Sequence, residues 1–250
     1  MTRSTISQAV ADLVAANRIL AGEGVLDGFG HVSMRHPDRS ERYLMSRSLS
    51  PGLVTAADIV EHTMENEPAH GKDAGKKLYY ERWIHGEVYK ARPDVNAIVH
   101  SHSPTVVPFA STRVPLRPLL HNASFLGFGA PVFEIRDHLA DSDLMISTAE
   151  LGRAMAARLG SRAGVVLLRG HGNVVVAPSL RIAVFRAYYA EINARQQLQA
   201  EMLDHGGVVY MSPAECETAD RMMQAVVGRP WELWMRNVMA ETAPKAKRKG

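Results

Sequence analysis

Apolar residues recur at helical spacing in residues 5–22, where Val10, Leu13 and Leu20 fall three and seven positions apart. This spacing places them on one face of a helix, with polar residues on the other face. Gly22 follows the last apolar position and is a common helix terminator. The pattern therefore predicts an amphipathic helix at the start of the chain.

Shorter apolar runs and further helical patterns follow along the chain. Strands are predicted in HVSMRHP (31–37), RYLMS (42–46), VNAIVHSH (95–102) and twice in AGVVLLRGHGNVVVA (163–177), where GHGN joins the two. Helices are predicted over 78–91, stopped at Pro93, near 148–159 and over about 180–204. The segment SPGLVTAADIVEH (50–62) has the pattern of a loop with a helical start. Strands mixed with helices predict a three-layer α/β arrangement whose strand order the pattern leaves open.

Composition narrows the class of protein. With 250 residues, 46% of them apolar, and no repeat or linker, we expect a single domain over 1–250. The net charge of +3 is small and both signs are interleaved, which argues against a nucleic-acid-binding face. The basic tail from about residue 243 has the character of a solvated terminus.

Cysteine usage and hydropathy indicate the compartment. Cys216 is the single cysteine, so no disulfide within the chain and no thiolate-based metal cluster can form. No signal-peptide pattern opens the chain, and no run of about 18 apolar residues occurs. We expect a cytoplasmic protein without a membrane partner.

Two histidines stand one residue apart at the end of an apolar run. In a strand, His100 and His102 point to the same face and are close enough to share one metal ion. Zn, Mn, Fe and Ni all accept imidazole, but a usable site needs about three protein ligands. Two polar residues at a strand end remain an alternative interpretation of this pair alone.

Two further motifs supply candidate groups for such a site. His171 lies between glycines at the tip of two apolar strands, where a third ligand or an ordinary hairpin turn would fit. Glu81 and His85 are one helical turn apart and face the same way. The alternative for this pair is a solvated helix face.

Together these motifs resemble the class II aldolase/adducin family. The resemblance rests on E-x3-H at Glu81, on RPDVNAIVHSH, on the distal His-Gly and on GHVS, and it runs from about residue 5 to 204. It implies an α/β/α fold with a central, mostly antiparallel sheet and a divalent metal held by His100, His102 and His171. It also implies that Glu81 lies beside the metal and that the chain forms a homotetramer with active sites at subunit interfaces. The adducin branch lacks the metal triad, which this chain retains.

The sequence departs from the sugar-phosphate aldolases at the positions of their phosphate pocket. Those positions hold His31, Ser48 with Leu49, and Tyr79 with Tyr80. Losing a glycine there removes close backbone approach to an anion, and two tyrosines fill the space that a phosphate needs. A phosphorylated sugar is therefore not expected as substrate.

The substituted residues suit a flat, acidic molecule. The Arg47 guanidinium can pair with a carboxylate while the rings of Tyr79 and Tyr80 pack on an aromatic substrate. A surface arginine and two core aromatics are the alternative interpretation. Similarity to the decarboxylase branch implies an ortho-hydroxy aromatic or pyridine carboxylic acid, with 3-hydroxy-2-methylpyridine-4,5-dicarboxylate of vitamin B6 degradation as the expected substrate.

The expected chemistry follows from the metal. Cleavage of the carbon–carbon bond leaves an electron pair, and a bound Mn²⁺, the favoured ion, or Zn²⁺ stabilises the resulting oxyanion. Glu81 is the candidate proton donor, and His31 assists it or holds the substrate. Two alternatives stay open: an aldolase for an unphosphorylated hydroxy-keto acid, and an adducin-like interaction module without activity.

Overall fold

A seven-stranded sheet forms the centre of the molecule. The structure is a computed structural model that describes residues 5–204 and 206–242. The strands are β1 (His31–Arg35), β2 (Arg42–Ser46), β3 (Ile59–Thr63), β4 (Ala97–Ser101), β5 (Val132–Phe133), β6 (Val165–Leu168) and β7 (Gly172–Ala177). Their order in the sheet is β3-β2-β1-β4-β7-β6-β5. Neighbouring strands pair antiparallel except β5 and β6, which are parallel.

Helices cover both faces of this sheet. They are α1 (Ile6–Gly22), α2 (Arg82–Ala91), α3 (Val107–Ala110), α4 (Ala149–Leu159), α5 (Leu180–Leu203), α6 (Pro213–Val226) and α7 (Gly228–Thr242). Serine and threonine side chains cap α1, α4, α5 and α6, which satisfies N–H groups that the first turn leaves free.

Strand alternation divides the core into two layers. In β7, Val175 faces a cluster that includes α1 and α5, whereas Val174 and Val176 face a cluster that includes α2 and α4. All three valines are buried, as expected for strands covered on both sides. The same alternation directs His100 to the α2 side, since Ile98 faces that side and Val99 the other.

The fold class expected from the sequence is confirmed: three layers, α/β/α, around a mostly antiparallel sheet. The structure differs in detail. Residues 59–63 form β3, an edge strand, after two short 3-10 turns, where a loop with a helical start was expected. Helix α2 begins at Arg82 and not at residue 78, because the chain before Glu81 runs along the loop after β2.

The C-terminal helix packs on the molecule's own core. Trp231 and Trp234 of α7 are both buried in the cluster that contains α1 and α5. Within residues 5–204 and 206–242, no helix is both long and apolar enough to cross a bilayer. The basic tail expected from about residue 243 lies outside the described residues.

Candidate metal centre

Three histidines meet at one end of the central strands. His100 is the second-last residue of β4 and lies directly opposite His31 of β1. His102 follows β4, and His171 occupies the turn between β6 and β7. The ring centroids of His100, His102 and His171 lie 4.9 to 5.1 Å from one another. The structure thus brings together the three imidazoles that the sequence singled out.

Two glycines allow the third histidine to reach the other two. Gly170 has a φ of 66°, in the left-handed region that glycine adopts without strain. A Cβ on Gly172 would lie 2.3 Å from the backbone oxygen of Ser101, so only glycine permits β7 to approach β4 this closely. The Gly-His-Gly motif is therefore a requirement of the turn that delivers His171.

Glu81 completes the cluster from the helix side. It precedes α2, and its Oε1 accepts a hydrogen bond of 3.1 Å from the backbone N–H of Ile146. Its Oε2 lies 3.4 Å from Nε2 of His100 and 3.6 Å from Nε2 of His171. One ligand atom from each of Glu81, His100, His102 and His171 lies within 4.8 Å of the other three.

The charges around Glu81 favour its ionised form. Burial raises the pKa of Glu81, but the electrostatic attraction of the His100 and His171 imidazoles and the backbone N–H of Ile146 outweigh burial and lower this pKa to about 2. Burial lowers the pKa of His171 to about 4, so this imidazole is neutral at pH 7. A bound cation would supply the same attraction to Glu81 at neutral pH.

The donor atoms fit a divalent metal ion. Nδ1 of His100 lies 3.1 Å from the carbonyl oxygen of Asn173, which can only accept, so Nδ1 carries the proton and Nε2 has a free lone pair. Nδ1 of His102 faces the carboxylate of Asp27 at 3.4 Å in the same way. The Nε2 atoms of His100 and His102 are buried without a hydrogen-bond partner among the described residues. Such orphaned lone pairs beside a carboxylate are what a metal ligand set requires.

His31 and His85 form a second layer behind the cluster. Nδ1 of His31 lies 2.8 Å from Nε2 of His85, and Nε2 of His31 faces Oε2 of Glu81 at 4.0 Å. Burial lowers the pKa of both histidines well below 6.5, so both are neutral. The Glu81 and His85 pair is buried, which excludes the solvated helix face, and His85 lies outside the ligand cluster.

A cavity of about 390 Å³ opens onto the cluster. Its lining comprises Gly28, Phe29, His31, Ser48, Leu49, Ser50, Lys77, Tyr79, Tyr80, Glu81, His100, His102 and Met145. Tyr79 is half-buried with its ring 4.5 Å from that of His31, whereas Tyr80 is 65% exposed. Both tyrosines and Ser48 therefore lie in the wall of the cavity next to the histidine cluster.

Arg47 does not line this cavity. Its Nε donates to Oδ1 of Asp58 at 2.6 Å, and Asp58 is itself held by the side chain and backbone N–H of Thr55. The lysine in the lining, Lys77, was not identified from the sequence, where nothing distinguishes it from neighbouring Lys76. Lys77 is exposed and forms no ion pair with a carboxylate in the part of the chain that the structure describes, whereas Lys76 pairs with Asp73.

Comparison with known proteins identifies the class. The family described as Class II Aldolase and Adducin N-terminal domain matches residues 11–198. This chain is 34% identical to decarboxylase tropJ of Talaromyces stipitatus, over 92% of this chain and 93% of that protein. It is 31% identical to a 3,4-dihydroxyphthalate decarboxylase of Arthrobacter keyseri, over 80% of each chain.

A solved structure supports the same fold. L-fuculose 1-phosphate aldolase from Glaciozyma antarctica superposes with a TM-score of 0.77, covering 98% of this chain and 96% of the aldolase at 21% identity. The chain belongs to the class II aldolase/adducin family. Its His-rich cluster and cavity are the features from which we infer its activity.

Proposed function

We propose that this protein is a divalent-metal-dependent decarboxylase, a carboxy-lyase that acts on an ortho-hydroxy aromatic or pyridine carboxylic acid. One observation carries the proposal: three imidazoles and a carboxylate converge within 4.8 Å at a cavity lined also by a lysine, Lys77, that has no carboxylate partner among the described residues. Relatives that bear the name decarboxylase support the reaction type.

For the substrate we propose 3-hydroxy-2-methylpyridine-4,5-dicarboxylate, from vitamin B6 degradation. This molecule carries a hydroxyl and two carboxylates on three successive ring atoms. The name of 3,4-dihydroxyphthalate describes the same arrangement on a benzene ring. An enzyme for this pattern needs a cationic centre for the hydroxyl and first carboxylate and a separate cation for the second carboxylate.

The pocket's polar contacts support a substrate without phosphate. Oη of Tyr79 lies 3.4 Å from the backbone N of Leu49 and 2.5 Å from its backbone oxygen. The backbone N–H of Ser48 is engaged by the carbonyl of Lys77 at 2.7 Å. These loop N–H groups therefore already have partners and would have to release them to bind a phosphate.

His100, His102 and His171 would hold the metal, with Mn²⁺ favoured and Zn²⁺ an alternative, and Glu81 beside them. When bound, a divalent cation stabilises negative charge on the substrate's hydroxyl oxygen. The identity of the ion is decided by geometry and availability, since three imidazoles and a carboxylate suit both.

In the proposed reaction Glu81 moves one proton. The ionised carboxylate accepts the proton of the substrate hydroxyl and returns it to the ring carbon that carries the carboxylate. That carbon then belongs to a β-keto acid. The bond to the carboxylate breaks, CO₂ leaves, and the electron pair returns through the ring to the oxygen, which takes a proton from solvent on release.

The remaining site residues would bind the substrate. Tyr79 and Tyr80 offer aromatic faces at the cavity wall, and Ser48 offers a hydroxyl. Lys77 faces the cavity without a carboxylate partner among the described residues, so we assign it the second carboxylate. Arg47, the anchor expected from the sequence, would act indirectly by holding the loop through Asp58.

We also propose that residues 1–250 form one domain, that the protein acts in the cytoplasm, and that it assembles as a homotetramer with active sites at its interfaces. Phe29 and Tyr80 support such an assembly, because both line the cavity while 72% and 65% exposed. Large apolar surfaces at a site mouth are typical of interfaces. Sedimentation analysis would test the tetramer.

The test is CO₂ release by metal-analysed protein from a panel of substrates. The panel contains the pyridine dicarboxylate, 3,4-dihydroxyphthalate and the analogue of each without the ortho hydroxyl. We expect metal-dependent CO₂ release from molecules with the hydroxyl and none from the analogues. Aldehyde release from hydroxy-keto acids would instead identify an aldolase. Absence of both turnover and stoichiometric metal would contradict an enzymatic role and favour an adducin-like module.

A further inference from the structure

One face of α2 and one face of β1 meet in a continuous buried hydrogen-bonded chain. Nε2 of His85 lies 2.8 Å from Nδ1 of His31, Nδ1 of His85 lies 2.6 Å from Oγ of Ser33, and this Oγ lies 2.8 Å from Oη of Tyr89. His31, Ser33, His85 and Tyr89 are each no more than 3% exposed. The chain leads from the metal cluster into the core.

Two structural periods bring these residues into register. His85 and Tyr89 are four residues apart on a helix, an axial rise of about 6 Å. His31 and Ser33 are two residues apart on a strand, a rise of about 6.8 Å. Because these distances nearly match, each residue on the helix face meets a partner on the strand face. The motifs Gly-His-Val-Ser and Glu-x3-His, which are separate in sequence, form one unit.

The hydrogens of this chain can be arranged in two directions. In the first, the Tyr89 hydroxyl donates to Ser33, Ser33 donates to Nδ1 of His85, and Nε2–H of His85 donates to Nδ1 of His31. In the second, every donation is reversed. Ser33 is the one hydrogen-bond partner of the Tyr89 hydroxyl within the described residues. The second direction therefore leaves the tyrosine hydrogen without an acceptor in the core, whereas the first leaves its one free hydrogen on Nε2 of His31, which lines the cavity and faces the Glu81 carboxylate.

We propose that this chain makes His85 a positioning residue that holds His31 as its Nε2–H tautomer, with Nε2–H donating into the active site. A neutral imidazole has one N–H, so accepting at Nδ1 places that hydrogen on Nε2. Nε2 of His31 faces Oε2 of Glu81 at 4.0 Å, which is too long for a hydrogen bond and leaves space for a substrate oxygen.

This inference rests on the proposed decarboxylase and refines the part that His31 takes in it. A fixed N–H aimed at the oxygen on which charge develops stabilises that charge without reorientation during the reaction. The opposite tautomer would present a lone pair, making His31 a base or a fourth imidazole ligand. The two tautomers thus assign His31 to opposite roles.

The tautomer can be measured without turnover. Protein labelled with ¹⁵N-histidine, Zn²⁺-loaded or metal-free, is examined by solid-state NMR, in which protonated and bare imidazole nitrogens have widely separated shifts. The His31 signals are assigned by their loss in His31→Gln. On both His31 and His85 we expect the Nε2–H tautomer to exceed the Nδ1–H tautomer by at least about tenfold. This is about the ratio that one hydrogen-bond donor left unsatisfied in the core produces. Nδ1–H on His31 would overturn the proposal.

A matched pair of variants tests the role of His85. In His85→Gln the side-chain amide can still donate to Nδ1 of His31, so the tautomer and kcat stay within about threefold of the parent. In His85→Met no donor remains, and we expect both tautomers of His31 and a kcat at least about tenfold lower with KM little changed. An unchanged tautomer and kcat in the methionine variant would refute the positioning role. If the methionine variant does not fold, the NMR spectrum of the parent protein alone tests the tautomer proposal. If the parent shows the expected tautomer but releases no CO₂, the proposed decarboxylase activity is refuted and the tautomer assignment stands.

Discussion

His31 and His100 lie directly opposite each other in the antiparallel pair of β1 and β4, and their ring centroids are 4.9 Å apart. Because paired residues point to the same face of a sheet, this register joins the strand that carries His100 to the strand that carries Ser33. A slip of one residue would turn His31 toward the opposite core layer. The chemistry of the site therefore depends on the register of two strands.

Loss of a triad histidine should abolish metal binding. We expect His171→Ala to weaken binding of Mn²⁺ by at least about 100-fold, because two imidazoles and a carboxylate no longer enclose the ion. Metal content after dialysis and calorimetric titration measure the effect. His121→Ala, which alters an exposed histidine outside the cluster, is the control. Stoichiometric metal in His171→Ala would contradict the ligand assignment.

Replacing Glu81 should separate binding from chemistry. Glu81→Gln keeps an oxygen that can accept from the Ile146 N–H but cannot carry a proton. We expect kcat to fall by about 10²- to 10⁴-fold with KM changed far less. Steady-state CO₂ release and metal content provide the two measurements. A fall in metal content that accounts for the whole loss would show that Glu81 acts as a ligand and not as the proton carrier.

Lys77 and Arg47 provide a direct comparison of anion anchors. Lys77→Met should raise KM for a dicarboxylate about tenfold, since the second carboxylate loses its cation. The same variant should leave KM for the matching monocarboxylate nearly unchanged. Arg47→Met should have the smaller effect on dicarboxylate KM, because Asp58 already occupies the Arg47 guanidinium. The reverse order of the two variants would restore Arg47 as the anchor.

Glu61 should contribute stability that depends on pH. Burial raises its pKa, but hydrogen bonds from Arg42, His70 and Arg39 outweigh this and lower the pKa from 4.5 to about 2. A depressed pKa means that the ionised carboxylate stabilises the folded chain above about pH 4.5 and that this contribution disappears as the pH falls toward 2.

Urea unfolding of metal-free protein between about pH 2.5 and pH 7 tests this contribution. We expect Glu61→Gln to lower the free energy of unfolding by about 1 to 2 kcal/mol at pH 7, a figure reduced for the solvent exposure of the arginines. The difference should shrink as the pH falls below 4.5. Glu65→Gln alters an exposed glutamate nearby and should change little. A difference that stays constant with pH would exclude this linkage.

The sequence by itself predicted the fold class, from its helix and strand patterns and its family resemblance, and it singled out His100, His102 and His171 as candidate ligands. Alternation in a strand places His100 and His102 on one face whatever the strand contacts. The apolar runs around His171 likewise specify two strands and a turn. Backbone geometry sets these periodicities, so they can be recognised in the sequence without knowing which segments pack against the strand.

Only the tertiary structure decided which neighbours those faces meet. It pairs Arg47 with Asp58, leaves Lys77 open to the cavity, and buries His85 between His31 and Ser33. Each outcome depends on packing between segments distant in sequence, and exposed and buried charged residues look alike in a linear pattern. Segment 59–63 became a strand for the same reason: its pairing with β2 supplies hydrogen bonds that five residues could not specify alone.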